Sequence, residues 1–399
     1  MIFDTYWFLF GVVLFLPLYW LAGTPKIRLW LLLCFCFLFH MHFAGAAGVV
    51  PIVVLASLTY FAGRSANRLF CAAAIVACTL ALCHYKYSLF FADEAFAFLT
   101  PEAKDTFHSL VRSTLPLTPP LAISFFTFEF VHYLLEIRKQ KPPINKPADF
   151  AAFTFFFPTL VAGPVKRYDQ FIPALKQGLT AVSSTQVMLG LLQVATGYGK
   201  KLVLADNLTP YIESRDLIFS TISLEERWLL LVVLNLRIYF DFSGYSDIAI
   251  GLARMMGIEV PANFNWPYLA TSIREFWRRW HISLSTWIRD YIYIPIAGGK
   301  HTKLRKVFAA FLAMSLCGLW HGAAWHFVAW GIYHGVGLCI CALYRKVPVV
   351  GMLGIVFDKF PISAWLLTMF FVFVSRLLFF YPLGDAVEKF CLLFTTRIT

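Results

Sequence analysis

The sequence predicts an all-α, polytopic membrane protein, from its composition, the recurrence of its apolar runs and the placement of its charges. Hydrophobic residues make up 59% of the 399 positions and charged residues 14%, against roughly 45–50% and 25% in soluble domains. Apolar runs recur throughout: Phe8 to Leu21, Leu29 to Phe43, Val49 to Ala62, Leu69 to Phe91, Leu121 to Leu135, Leu229 to Phe240, Val307 to Trp320 and Trp365 to Tyr381. Several match or approach the roughly 17 to 25 residues that carry a helix through a bilayer core. About ten or eleven crossings are expected, together with re-entrant or interfacial helices.

Charge sets the orientation. The net charge is +12, but no soluble domain offers a basic groove, so nucleic acid is excluded as a partner. The excess reads instead as the positive-inside bias. Arg64 with Arg68, Arg138 to Lys146, Lys300 to Lys306, and Arg345 with Lys346 then mark the cytosol. Ala92 to Pro120, with acids at Asp93, Glu94, Glu102 and Asp105, belongs outside. Walking back from Arg64 through three spans puts the N-terminus outside too. Asp4 is the only charge before Lys26, so the first run reads as a retained span rather than a cleaved signal. None of the nine cysteines forms a Cys-x-x-Cys pair, and most sit in apolar runs as packing residues. No long linker or repeat interrupts the chain, so residues 1–399 read as one membrane domain.

Polar residues inside apolar surroundings are costly and point to function. The first cluster, Tyr239 to Asp247, holds Asp241, Ser243, Tyr245 and Asp247 directly after an apolar run. It lines water or protein, or it is an interfacial loop. The second runs from Asn263 to Lys300, with Asn265, Arg274, Arg278, Arg279 and His281 among several tryptophans. If Thr271 to Asp290 is one helix, Arg274, Arg278, His281 and Ser285 share a face. Such a helix lies in the interface or re-enters the protein with its basic groups toward a cytosolic cavity. The third is Leu319 to His326, containing Trp320, His321 and Gly322, followed by Tyr333-His334-Gly335. Val307 to Leu343 is too long for one pass, so two crossings with a break at Gly322 to Ala324 are needed. His321 then lies roughly 20 Å beyond the basic run that ends at Lys306, past the midplane. It is either a functional group or a core histidine bonded to a carbonyl.

Other chemistries lack their motifs. There is no Gly-x-Ser-x-Gly elbow, P-loop, His-Glu-x-x-His or dinucleotide fingerprint. His321 and His326 are five apart, the wrong spacing for a helical metal pair, so no metal site is expected.

The stretch Tyr239 to Lys300 closely resembles the membrane-bound O-acyltransferase (MBOAT) family, and within it the bacterial branch that includes alginate O-acetylation membrane subunits. Pro120 to Phe128 (PLAISFFTF), Phe156 to Arg167 (FFPTLVAGPVKR) and Leu319 to Gly335 (LWHGAAWHFVAWGIYHG) are similar to further family motifs, so the motif-bearing core covers about residues 120–345. The chain departs at Lys300-His301, where alginate-type members carry Asn-Arg. Its length is nearer that of the D-alanyl-transfer branch. The resemblance implies helices around a central tunnel in a bacterial inner membrane, with a cytosolic donor and an extracytoplasmic glycan acceptor. It implies that His321, in the Trp-His-Gly motif, is the essential histidine and His281, in the Arg-Trp-His motif, the second. The expected reaction passes an acyl group, foremost acetyl, from acetyl-CoA or a carrier-protein thioester to hydroxyls of a polysaccharide or peptidoglycan, directly or through a periplasmic acetyltransferase partner. No bound cofactor is expected.

His321 suits a general base, because an imidazole titrates near 6.5. No paired serine or cysteine nucleophile stands out, which favours direct transfer. His281 orients the donor or shuttles a proton. Arg274, Arg278 and Arg279 suit donor phosphates. Asp241, Ser243, Tyr245, Asp247, Asn263, Asn265 and Trp320 are the further donor-binding or tunnel-lining candidates. D-alanyl transfer to teichoic-acid-like polymers and a non-enzymatic transporter are the competing readings.

Overall fold

A computed structural model of the chain describes residues 2–95, 100–114, 119–299, 302–344 and 348–395. Lys300-His301, Arg345-Lys346 and parts of the expected outer segment therefore lie outside the described residues. Among the described residues the regular structure is helical, with no strand. In chain order the first helices are α1 (Tyr6–Leu21), α2 (Pro25–Ser65), α3 (Arg68–Phe90), α4 (Pro101–Thr114), α5 (Ile123–Arg138) and α6 (Pro147–Phe155). They are followed by α7 (Tyr168–Thr180), α8 (Ser184–Tyr198), α9 (Asp206–Asp216), α10 (Leu224–Met255), α11 (Ile273–Arg279) and α12 (Ile282–Ile288). The last are α13 (Ile294–Ala297), α14 (Lys303–His321), α15 (Trp325–Leu343), α16 (Pro348–Lys359), α17 (Pro361–Phe380) and α18 (Leu383–Leu392).

Four described helices are long and apolar enough to cross a membrane: α2, α3 with its extension to Asp93, α15 and α17. A bent pair, α7 with Ser184–Asp216, turns through 119° and makes a fifth if read as one broken span. The chain is thus a multi-pass membrane protein, with fewer self-sufficient spans than the ten or eleven expected. The reason lies in composition and length. Although α10 has 32 residues and α14 has 19, they carry charges such as Arg237 and Asp241, or Lys303, Arg305 and Lys306. With 16 residues and Glu129, His132 and Glu136 on its length, α5 is both short and polar.

By internal contacts the chain forms two compact units, residues 1–197 with 245–261 and residues 198–244 with 262–399. The first is built on α2. Thr24 caps its N-terminus by accepting from the Ile27 N–H, and Pro25 occupies the first turn, where no intrahelical donor is lost. Gly45, at φ +63°, kinks it in a left-handed conformation that glycine adopts without strain. Aromatic rings fill the interior: Phe15 stacks on Phe35 at 4.5 Å, and Phe157 meets Phe35 edge-on at 4.8 Å. Lys166, fully buried, pairs with Glu129 and donates to Thr159 Oγ1 at 3.0 Å, so its charge is compensated. The end of α10 is tied to α1 by Trp20 Nε1, which donates to the Met255 carbonyl at 2.9 Å.

The second unit centres on the hairpin of α14 and α15. Gly318 and Gly331 face each other so closely that a Cβ on Gly318 would lie 2.7 Å from the Gly331 Cα. Their lack of side chains lets the two backbones touch, as small residues do between membrane helices. Against this hairpin α17 packs, and α18 is held by Arg227, which donates to the carbonyls of Leu392 (2.7 Å) and Phe219 (3.0 Å).

Candidate active site

The α14–α15 hairpin breaks at Gly322 to Ala324, where the sequence places it, and leaves His321 on the last turn of α14. The His321 imidazole is half-buried in a ring of aromatic side chains. Trp320 (4.8 Å), Trp330 (5.0 Å) and Phe379 (5.1 Å) surround it, the first two from the hairpin and the third from α17. His334, one turn beyond Trp330 on α15, is buried; its Nε2 lies 3.0 Å from Ser375 Oγ. That hydroxyl donates to the Val372 carbonyl at 2.6 Å, so Nε2 is the donor and Nδ1 keeps its lone pair. Sequence reasoning passed over Ser375, although it precedes a charged residue in an apolar run.

The region 271–290 is not one helix. Ser272 caps α11 by accepting from the Glu275 N–H, and the helix ends at Arg279. His281 follows at φ 45°, a left-handed conformation uncommon for a side-chain-bearing residue, and α12 restarts at Ile282. The expected shared face of Arg274, Arg278, His281 and Ser285 is corrected accordingly. The break turns His281 inward, where it is 2% exposed. Its Nδ1 lies 3.0 Å from Asn263 Oδ1, which also accepts from Ser283 Oγ at 2.9 Å. An amide oxygen can only accept, so Nδ1 carries the proton and Nε2 is left as an acceptor. Burial pushes the His281 imidazole down to about 3 and keeps it neutral. Phe242 meets its ring edge-on at 4.8 Å. Asn263 therefore belongs with His281, as a pairing that sequence could not reveal. Asn265 contributes through its backbone, donating to the Arg279 carbonyl at 2.9 Å.

The break does not separate Arg274, Arg278 and Ser285. They line one cavity of about 540 Å³, with Arg289, Lys303 and Lys306 completing a basic rim. The opposite wall is apolar and follows one face of α14 through Val307, Ala310, Met314 and Cys317. Cys317 is one helical turn before His321. Arg279 points elsewhere: its Nη2 pairs with Glu275 at 2.7 Å and its Nη1 donates to the Asn265 carbonyl at 3.2 Å. Burial acts to raise the Glu275 carboxyl, but bonds from Thr271 and Arg279 outweigh it and hold the carboxyl below its ordinary value.

The first polar cluster lies within α10 rather than in a loop, because each polar side chain finds its own surroundings. Asp241 pairs with Lys201 at 2.9 Å, on the π-helical turn Gly199–Ala205. Tyr245 accepts from the Ala162 N–H at 3.4 Å and stacks on Phe3, and Asp247 accepts from Gln193 Nε2 at 3.3 Å. Ser243 is buried without a partner for its hydroxyl. Asp241 and Ser243 belong to the second unit, Tyr245 and Asp247 to the first.

Residues 60–381 match the model of MBOAT, the membrane-bound O-acyltransferase family. The chain is 36% identical over 359 residues to the probable alginate O-acetylase AlgI of Azotobacter vinelandii, covering 85% of this chain and 68% of that one. It is 34% identical over 292 residues to the peptidoglycan O-acetyltransferase of Helicobacter pylori, covering 67% and 55%. It is 31% identical over 246 residues to the teichoic acid D-alanyltransferase of Streptococcus thermophilus, covering 58% of each. The chain thus spans about two thirds of the length of the first of these relatives and little more than half of the other two. The family model takes in both histidine motifs and most of the chain, and the chain belongs to the membrane-bound O-acyltransferase family.

Proposed function

We propose that the protein transfers an acetyl group from a cytosolic thioester, acetyl-CoA or a carrier-protein thioester, to hydroxyls of an extracytoplasmic polysaccharide or peptidoglycan. It works in a bacterial inner membrane as one functional domain, directly or through a periplasmic acetyltransferase partner. The observation that carries this reading is the cavity of the second unit, with its basic rim, apolar wall and His321 one turn beyond. Guanidinium and ammonium groups suit the donor's phosphates, and the apolar wall suits a pantetheine arm. Its far end brings a thioester near a half-buried histidine. His321 takes the proton of the acceptor hydroxyl as its oxygen attacks the thioester carbon, forming a C–O bond and a tetrahedral oxyanion. The C–S bond then breaks, and the proton passes to the departing thiolate. His281, neutral and with Nε2 free to accept, orients the donor or relays a proton.

D-alanyl transfer to teichoic-acid-like polymers is the second reading, supported by the 31% likeness to a D-alanyltransferase. Envelope esters of a strain lacking the gene separate the two. Loss of O-acetyl groups with unchanged ester-linked D-alanine is the expected result; the opposite pattern would install the second reading, and no change in either would refute both.

A further inference from the structure

In the second unit Arg376 is a cation without an anion. It lies on α17, a membrane span, and is 2% exposed. No carboxylate pairs with it among the described residues. Its Nε donates to Asn235 Oδ1 at 3.3 Å, and it hydrogen-bonds the Tyr268 hydroxyl, which itself donates to the Asn235 carbonyl at 2.7 Å. The guanidinium stands over Trp280, 4.6 Å from the ring centroid, and 5.8 Å from that of Phe379. Neutral oxygens and ring faces hold the charge in place without cancelling it. An ionised side chain at such a depth is expensive and is retained where it has work to do.

Its position says what work. Phe379 packs on the His321 ring at 5.1 Å; Trp280 neighbours Phe242, which packs on His281 at 4.8 Å. A chain of ring contacts therefore links Arg376 to both histidines, through Phe379 to His321 and through Trp280 and then Phe242 to His281. The same cluster holds two more groups awaiting negative charge. The indole N–H groups of Trp277 and Trp330 are buried with no acceptor, and the two rings lie 5.8 Å apart. Trp330 touches His321, and Trp277 lines the cavity. A centre with a surplus of donors and an uncompensated cation stabilises an anion that exists only transiently. Thioester-to-hydroxyl transfer produces one, the oxyanion of the tetrahedral intermediate.

We infer that Arg376 supplies the fixed positive charge that stabilises this oxyanion, as a positioning residue acting across Trp280 and Phe379 rather than by touching the substrate. The inference rests on the acyl-transfer reading, and its test keeps the two apart. Proteoliposomes carrying the full chain are given acetyl-CoA, with mannuronate oligosaccharides or muropeptides as acceptor, and thiol release coupled to ester formation is followed beside thermal unfolding. Arg376→Gln is expected to lower kcat by about ten- to a hundredfold and leave the KM for acetyl-CoA within about twofold. Its midpoint of unfolding should stay at or above the parent's, because an unpaired buried charge has been removed. Arg376→Lys, which keeps the charge, should regain most of the lost kcat. Parental kcat in Arg376→Gln would overturn the inference while leaving acyl transfer intact. Unfolding of both variants at lower temperature, with activity lost in proportion, would overturn it in favour of a structural role. A parent as inactive as His321→Ala would refute the acyl-transfer reading and this inference with it.

Discussion

Mild acid should destabilise the protein through His281, by an amount that follows from its burial. In the unfolded chain this imidazole titrates near 6.5; in the folded protein burial holds it at about 3. Between those values the unfolded chain binds a proton that the folded one refuses, so stability rises with pH across the window. The contribution is whole above about pH 6.5 and is lost at roughly 1.4 kcal/mol per unit as the pH falls toward 3. By pH 5 the loss amounts to about 2 kcal/mol. His281→Asn removes the titration while keeping a residue that tolerates the left-handed backbone at φ 45°. Unfolding of detergent-solubilised parent and variant at pH 7.5 and pH 5 measures the difference. The variant should lose about 2 kcal/mol less than the parent between the two. An equal loss in both proteins would refute the burial of a neutral imidazole at this position.

Two further perturbations address the donor cavity and the orientation. Arg278→Ala should raise the KM for acetyl-CoA by about ten- to a hundredfold with kcat nearly kept, since one charge-assisted contact to a phosphate is worth ~1.5–3 kcal/mol. Arg279→Ala, whose parent side chain is engaged with Glu275, should change that KM by less than about threefold; steady-state kinetics separate the two, and equal effects would contradict the geometry. In a background without native cysteines, Thr106→Cys should react with a membrane-impermeant thiol reagent added to intact cells and Lys303→Cys should not. Labelling of Lys303→Cys from outside would reverse the orientation.

The sequence made the hairpin of α14 and α15 legible, because 37 residues from Val307 to Leu343 exceed one crossing and small residues mark where they must break. The basic rim was legible as well, Arg274 and Arg278 standing one turn apart. The break at His281 was not, since periodicity carries no sign of a single residue at positive φ. That break decides which groups meet: it buries His281 against Asn263, 18 positions away, and leaves Arg279 facing Glu275. The dense polarity of Tyr239 to Asp247 leaves open both a lining of water or protein and an interfacial loop. On a helix, successive side chains point a hundred degrees apart, and Asp241 and Asp247 end with different partners. Apolarity and length alone single out fewer spans than the ten or eleven expected, because apolar runs within α5, α10 and α14 share their helices with charges. Arg376 did leave a signal, as the single charge in the run Trp365 to Tyr381.

The most direct test is acyl transfer by His321→Ala in the 399-residue chain, measured beside expression, monodispersity in detergent and thermal stability. His326→Ala serves as control, since its Nδ1 is engaged with the Leu378 carbonyl at 3.1 Å. His321→Ala is expected to lose at least about a hundredfold in rate while inserting and unfolding like the parent, and His326→Ala to retain most activity. A His321→Ala protein as active as the parent would contradict that expectation.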